Sequence, residues 1–325
     1  MVVRLGRGQC GGHITLFFTI VDDHIEPINQ GSLGAGLCLK DGIEVISRGE
    51  EGDFRLDIKF LNGNGTNDLY EDVIDVLSVD IPEIKNYSWE LNIRFSLPTS
   101  QGFGMSASGA IAAASSFQRA LGIPHEESKR RSYLVAHIIE RRRSTGLGDT
   151  TALASGGVER RLSEGSPYSG NSLTKGPGMS EGWTEDIPLL LAWMPESGKH
   201  TSEYINDDIW KDKITNAGLK AMKNIAEGEW NSSRWKELLI SAENFAIDSE
   251  LIIDSKRSII LKDVNIIIKE NNLQNFCNSL LCMLGRSVVI LPKDIINPDF
   301  KIDIISKQLT ELGYKTAITE VSKLF

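Results

Sequence analysis

Three short segments hold residue types that can handle a phosphate. The first is Pro98-Thr-Ser-Gln-Gly-Phe-Gly-Met-Ser-Ala-Ser-Gly-Ala110, which reads as a strand end, a glycine loop and a helix start. Gly102 and Gly104 permit a tight backbone whose N–H groups point at an anion. The helix N-terminus behind them adds partial positive charge. Ser106, in the first turn, offers a hydroxyl to a phosphate or a divalent cation. No Gly-Lys-Ser/Thr follows, so this is not a Walker loop, and Gly102 to Gly109 is not a dinucleotide fingerprint. The same residues also fit a tight turn with a helix packed through small side chains.

The second segment is Glu140-Arg-Arg-Arg-Ser-Thr-Gly-Leu-Gly-Asp149, running into Ser155-Gly-Gly157. An aspartate on a glycine turn can be held rigidly against a hydroxyl and take its proton. Glu140 can give a carboxylate oxygen to a hard cation. A helix C-cap at Gly146 and an N-cap at Asp149 account for the same residues without chemistry. The third is Gly11-Gly-His-Ile-Thr15, followed by Gly31-Ser-Leu-Gly-Ala-Gly36. The latter mimics a nucleotide-binding glycine loop, but its flanks read strand-turn-strand, which that motif does not allow. His13 alone fits a packed histidine as well as a ligand. Lys129-Arg-Arg131 and Arg141-Arg-Arg143 fit a solvated helix end, or a groove that grips an anion.

These segments need elements to hold them. Ile14–Val21, Gly42–Ser47, Phe54–Phe60 and Trp89–Leu97 are β-rich or alternate apolar with polar, the pattern of half-buried strands. Leu69–Leu77 has helical spacing. Met105–Leu121 is dominated by Ala, Ser and Gly, so the spacing predicts a helix that other backbone approaches closely; Gly122-Ile-Pro ends it. Glu126–Arg143 is a second helix, and Gly146–Gly157 a turn with a short helical piece. Pro167–Trp183 is the best linker candidate. Beyond it, strands are expected at Pro188–Met194, Arg286–Pro292 and Tyr314–Glu320. Helices are expected near Asp212–Ala226, Ser233–Leu251, Ser258–Glu270 and Ile302–Leu312.

The whole chain has 325 residues, with 35 Lys plus Arg against 44 Asp plus Glu, a net charge of −9. That length points to about two domains and needs no disulfide or metal to build a core. The negative charge disfavours a general nucleic-acid binder and leaves room for a local basic pocket. The four cysteines, Cys10, Cys38, Cys277 and Cys282, lack zinc spacing and read as reduced thiols. No segment is long enough to span a bilayer or laid out as a signal peptide, and there is no internal repeat. The expectation is a cytoplasmic protein that binds neither nucleic acid nor membrane.

Taken together, Pro98–Ala110 and Thr145-Gly-Leu-Gly-Asp149 with Ser155-Gly-Gly157 resemble the phosphate-binding and catalytic segments of the GHMP kinases. Gly12-His-Ile-Thr with Phe17-Phe18, Gly31–Gly36, Gly102-Phe-Gly-Met-Ser106 and Ala136-His-Ile-Ile-Glu140 are similar, within that superfamily, to the archaeal pantoate kinase subfamily. The likeness covers roughly residues 10–160, with Cys282-Met-Leu-Gly-Arg-Ser287 extending it weakly. The resemblance implies an α+β, two-domain fold. Residues 1–170 would form a domain like ribosomal protein S5 domain 2, and residues 185–325 a ferredoxin-like domain. It implies ATP and Mg2+ as cofactors, with Pro98, Gly102, Phe103, Gly104, Met105, Ser106, Ala107 and Ser108 at the nucleotide. Ser106 and Glu140 would hold the metal, and Asp149 would be the catalytic residue. His13, Thr15, Arg131, Arg143 and Gly146 would face the substrate, a small hydroxy acid. A homodimer is compatible with this reading.

The pattern departs from the family in places. Gly11 stands where a proline is usual, His13 where lysine is common, and Met105 where serine is common. The third glycine motif is reduced to Met283-Leu-Gly285. The implied reaction is phosphorylation of a primary hydroxyl, with pantoate giving 4-phosphopantoate. A mevalonate 3-phosphate 5-kinase on the same frame stays open, since Arg141–Arg143 would suit a second anion. A decarboxylase of phosphorylated mevalonate and a nucleotide sensor without catalysis also stay open. Lys199 and His200, after Ser197-Gly198, are further candidates by loop position alone.

Overall fold

The computed structural model describes residues 3–195, 207–296 and 298–321; Lys199 and His200 lie outside them. Two long antiparallel strands, β1 (Val3–Phe18) and β2 (Gly34–Glu51), form the spine of the first half. β4 (Tyr87–Phe95) pairs antiparallel with β2, and β3 (Arg55–Phe60) pairs parallel with β4 at the edge. Helices α1 (Asn67–Asp80), α2 (Met105–Ala120) and α3 (His125–Arg143) follow in the expected places. The short helix α4 (Asp149–Ser155) sits inside the second glycine segment and leads into β5 (Val158–Ser163).

The small-residue composition of α2 has a direct cause. The helix lies on the backbone of β1. A Cβ at Gly6 would stand 1.9 Å from the Ser116 carbonyl oxygen, and one at Gly8 would stand 2.0 Å from that of Ala112. Glycine in the strand and alanine or serine in the helix are one packing solution. It brings the N-terminus of α2 down beside the middle of β1.

The segment read as a linker is instead structured. Tyr168–Ser169 (β6) and Thr174–Lys175 (β7) form a small hairpin. Met179–Trp183 (β8) then pairs antiparallel with β5. Gly176, Gly178 and Gly182 serve close approach: a Cβ at Gly178 would stand 2.0 Å from the Gly165 carbonyl oxygen.

The second half is built on β9 (Ile187–Trp193), whose apolar run lies between β11 (Ser287–Pro292) and β12 (Lys315–Val321). An additional edge strand, β10 (Cys277–Leu281), pairs with β11. Its burial does not alternate, so it carried no strand signal in the sequence. Helices α5 (Asp208–Ile225), α6 (Trp235–Asp248), α7 (Ser255–Glu270) and α8 (Ile302–Glu311) complete this half. The two sets of strands join where Val321 of β12 pairs with Leu39 of β2. Polar ties run beside this seam. The Gln101 side chain donates to the Met194 carbonyl at 3.1 Å, and Lys211 of α5 pairs with Asp22. Among the described residues, no helix is long and apolar enough to cross a membrane.

Candidate active site

The loop between β4 and α2 forms one wall of a cavity. Ser100, Gly102 and Gly104 all adopt left-handed backbone, with φ of 61°, 77° and 63°. That turn is cheap for glycine and lets Gly104 cap α2 directly. The loop is gripped from both sides. The His13 amide of β1 donates to the Phe103 carbonyl at 2.9 Å, and the Ser287 hydroxyl of β11 donates to the Gln101 carbonyl. A Cβ at Gly102 would stand 2.9 Å from the Met283 carbonyl oxygen, so the remnant of the third glycine motif packs on this loop. Arg257 of α7 donates to the Gly285 carbonyl at 3.0 Å and fixes that remnant. Gly102, Phe103, Gly104, Met105 and Ser106 line the cavity. Among the residues expected at a nucleotide, Pro98, Ala107 and Ser108 are not part of that lining. Ala107 is fully buried. The Ser108 hydroxyl donates to the Cys10 carbonyl at 2.7 Å and accepts from the Ile43 amide, tying α2 to both long strands.

The opposite wall comes from the end of α3 and the turn into α4. Ser144 is left-handed, and Arg141 pins the turn by donating to the Gly146 carbonyl at 2.8 Å and to Gln30 Oε1 at 3.0 Å. This aims Glu140 and Asp149 at each other. A Cβ at Gly146 would stand 2.0 Å from Glu140 Oε2 and 2.8 Å from Asp149 Oδ2. Thr145 donates to Glu140 Oε1 at 3.1 Å, and Ser106 Oγ lies 3.5 Å from Thr145 Oγ1.

The two acids have opposite electrostatics. Burial, reinforced by the facing Asp149 charge, pushes the Glu140 carboxyl up to about 8. Burial also pushes Asp149 upward, but the hydrogen bond and charge of His13, with Arg161 behind, outweigh it and hold Asp149 below its usual range. His13 Nδ1 is 2.6 Å from Asp149 Oδ1. Burial lowers the proton affinity of His13, and the hydrogen bonds of Asp149 and Glu159 more than reverse this. The result is an ionised carboxylate with a free oxygen facing the cavity, next to an acid with unmet demand for positive charge. The first can accept a proton from a hydroxyl. The second, with the Ser106 and Thr145 hydroxyls, is a set of hard oxygen donors suited to a magnesium ion.

Two arginines expected at the substrate lie elsewhere. Arg131 donates to Gln118 Oε1 at 3.1 Å and Glu127 Oε1 at 2.8 Å, with Asp80 at 3.5 Å. Arg143 pairs with Asp72 of α1. Both belong to the face of α3 that meets α1 and α2, and their charge is spent there. Arg141 is committed to the turn, and none of Arg141, Arg142 and Arg143 lines the cavity. His13 is fully buried behind Asp149, whereas Thr15 and Gly146 line the cavity.

The cavity cation that the sequence reading missed is Arg161 of β5. It is 1% exposed, lines the cavity, and donates to the Phe17 carbonyl at 3.3 Å. Its Nε has no hydrogen-bond partner. A Cβ at Gly148 would stand 2.5 Å from Arg161 Nη1 and 2.6 Å from Ser32 Oγ, so the guanidinium and this hydroxyl meet at one point of the wall. The available signal was Glu159-Arg-Arg161, charges in a strand position facing the glycines Gly34 and Gly36.

Residues 69–157 match the family model for the GHMP kinases N terminal domain. Over that stretch the chain resembles the GHMP kinases, phosphotransferases that take an alcohol as acceptor. It is similar to the pantoate kinase of Thermococcus kodakarensis, 28% identical over 292 residues, covering 89% of this chain and 88% of that protein. The pantoate kinase of Methanocaldococcus jannaschii is 26% identical over 254 residues, or 76% of this chain and 82% of that one. The solved structure of a phosphotransferase related to the CoA biosynthesis pathway superposes with a TM-score of 0.75 at 24% identity, covering 98% of this chain and 97% of that one. Mevalonate kinase from methicillin-resistant Staphylococcus aureus gives 0.59 at 16% identity, over 98% and 99%. These likenesses bear out the α+β GHMP kinase architecture expected from the glycine segments.

Proposed function

We propose that this protein is a GHMP kinase that transfers the γ-phosphoryl group of ATP to the primary hydroxyl of pantoate. The observation that carries this reading is the pairing of Asp149, an ionised carboxylate, with Arg161, a buried guanidinium, in one cavity under a glycine loop. A substrate that joins a hydroxyl to a carboxylate has a partner for each. The named pantoate kinases that align over most of the chain support the choice of hydroxy acid.

In this reading the backbone of Gly102–Ser106 and the N-terminus of α2 bind the nucleotide phosphates. Ser106 and Glu140 would hold Mg2+. The buried Glu140 carboxyl, pushed up to about 8 without a cation, fits that role. When bound, the ion supplies neutralising charge at the phosphate oxygens. Arg161 and Ser32 grip the substrate carboxylate, which fixes the distance from it to the hydroxyl. His13 occupies Asp149 Oδ1, so Oδ2 takes the hydroxyl proton as the oxygen attacks phosphorus and ADP leaves. Closing the cavity with Phe18, Leu147, Met283 and Leu284 keeps water from competing as acceptor.

The test is ADP release with ATP and magnesium on pantoate, mevalonate, mevalonate 3-phosphate and homoserine separately. Turnover on pantoate is expected, and Asp149→Asn should lower it about 10²- to 10⁴-fold, with ATP affinity retained. Turnover on a mevalonate phosphate but not on pantoate overturns the assignment. Wild-type turnover in Asp149→Asn overturns the role of the aspartate.

A further inference from the structure

His13 touches a carboxylate at each ring nitrogen. Nδ1 lies 2.6 Å from Asp149 Oδ1, and Nε2 lies 3.0 Å from Glu159 Oε1. Neither the imidazole nor Glu159 has any solvent exposure. A neutral imidazole has one N–H, so it would leave one carboxylate facing a lone pair. The imidazolium has two donors and satisfies both.

The sheet is built to allow this contact. His13 is on β1, Glu159 on β5, and the strand between them is β2. Gly36 of β2 is in register with Thr15 on one side and Glu159 on the other. A Cβ at Gly36 would stand 2.6 Å from His13 Nε2 and 2.9 Å from Glu159 Oε1. Any side chain there would part the pair. Two residues along, Gly34 opposes Arg161, and a Cβ there would stand 2.4 Å from Arg161 Nη2. The glycines at the end of the Gly31–Gly36 motif lie in β2 and not before a helix, and they clear a channel across that strand for buried charge.

We propose that Glu159 is a positioning residue for phosphoryl transfer: across Gly36 it holds His13 as a double donor, and His13 in turn fixes Asp149 ionised with Oδ2 toward the substrate. Glu159 itself does not touch the cavity. Charge around the histidine comes from Asp149 on α4, from Glu159 and Arg161 on β5, and from Glu140 on α3 beyond Asp149. Cys38, its register partner on β2, is kept a neutral thiol by burial. Arg161 Nε lies 3.8 Å from Glu159 Oε2 and balances the second acid. The proposal rests on the reading of Asp149 as the proton acceptor.

The test uses 15N-histidine NMR on the full-length protein, together with pH profiles of kcat/KM. In the wild type both His13 nitrogens should stay protonated well above neutral pH. In Glu159→Gln the midpoint of His13 should fall by about one pH unit or more, because a neutral amide no longer favours the cation. The alkaline limb of kcat/KM should move down by the same amount, with KM for ATP unchanged. A uniform loss of kcat with an unmoved His13 midpoint would make Glu159 merely structural and overturn the proposal. So would a neutral His13 in the wild type at pH 7, a result that needs neither the variant nor its folding. The NMR readout requires no substrate, so failure on pantoate and failure of this relay are separable.

Discussion

Glu140→Gln should make the ligand-free protein more stable while it weakens the enzyme. The Glu140 carboxyl is buried against Asp149 and pushed from an ordinary 4.5 up to about 8. A folded-state value above the unfolded one means that stability is intact below 4.5 and drains away as pH rises towards 8. Near pH 7 the interval crossed is about 2.5 units, which costs about 3 kcal/mol, whereas near pH 5 the cost is about 1 kcal/mol or less. Glutamine keeps the acceptor for Thr145 and never ionises, so it escapes this cost. For a chain of 325 residues, 3 kcal/mol corresponds to roughly 4 °C in Tm. The assay is calorimetry of wild type and variant without ligand from pH 5 to 8. The variant's advantage should grow with pH. Adding magnesium and ATP should shrink it, because the cation supplies the missing partner only to the wild type. A difference that does not change with pH, or a wild type more stable at pH 8, would refute the reasoning. It would mean that the Thr145 and Ser106 hydroxyls already hold the anion at no net cost.

Other outcomes follow from single contacts. Arg161→Lys should raise KM for the hydroxy acid about 10- to 100-fold, from the loss of charged hydrogen bonds, with KM for ATP unchanged in steady-state kinetics. Gly8→Ala should cost about 1–3 kcal/mol or more in urea unfolding, since its methyl would meet the Ala112 carbonyl at 2.0 Å and push α2 off β1. His137 is buried between Thr150 Oγ1 and the Pro27 carbonyl, and burial lowers it from 6.5 to about 4. A depressed histidine leaves stability intact above 6.5 and loses it as pH falls towards 4, here by about 3 kcal/mol. Denaturant midpoints of His137→Gln should fall less over that window than those of wild type.

The parts of the fold visible in the sequence were those where one residue type has one local meaning. Gly122-Ile-Pro stops α2 at its predicted end, and the alternation in Phe54–Phe60 and Trp89–Leu97 marks β3 and β4. The linker reading of Pro167–Trp183 failed because glycine also serves close backbone approach, and nothing local separates that use from flexibility. The arginines show the same limit. Arg131, Arg143 and Arg161 all sit in regular elements, and spacing along a helix cannot say which partner helix the charge meets. α1 arrives with Asp72 and Asp80 to claim two of them. Arg161 reaches the cavity because it projects from β5 over Gly34, a fact of sheet register and not of local sequence. Asp149 and Glu140, by contrast, flank one glycine turn, so their proximity was legible in the local sequence.

The glycines argue for the site more strongly than the charged residues do. Gly34 makes room for Arg161 Nη2, Gly36 for the His13–Glu159 contact, Gly146 for Glu140 Oε2 and Gly148 for Arg161 Nη1 and Ser32 Oγ. At each position the atom that a methyl would strike within 3 Å includes a polar group of the cavity or of the chain behind it. A core built only for stability would fill such spaces, because buried charge carries a desolvation cost and an apolar side chain does not. The glycines in β2 and in the turn before α4 act in the opposite sense. They hold open space in a dense interior so that His13, Glu159, Arg161, Glu140 and Asp149 can lie in sequence across three strands and two helices. Filling Gly36 would therefore damage chemistry through geometry alone, without changing any residue that lines the cavity.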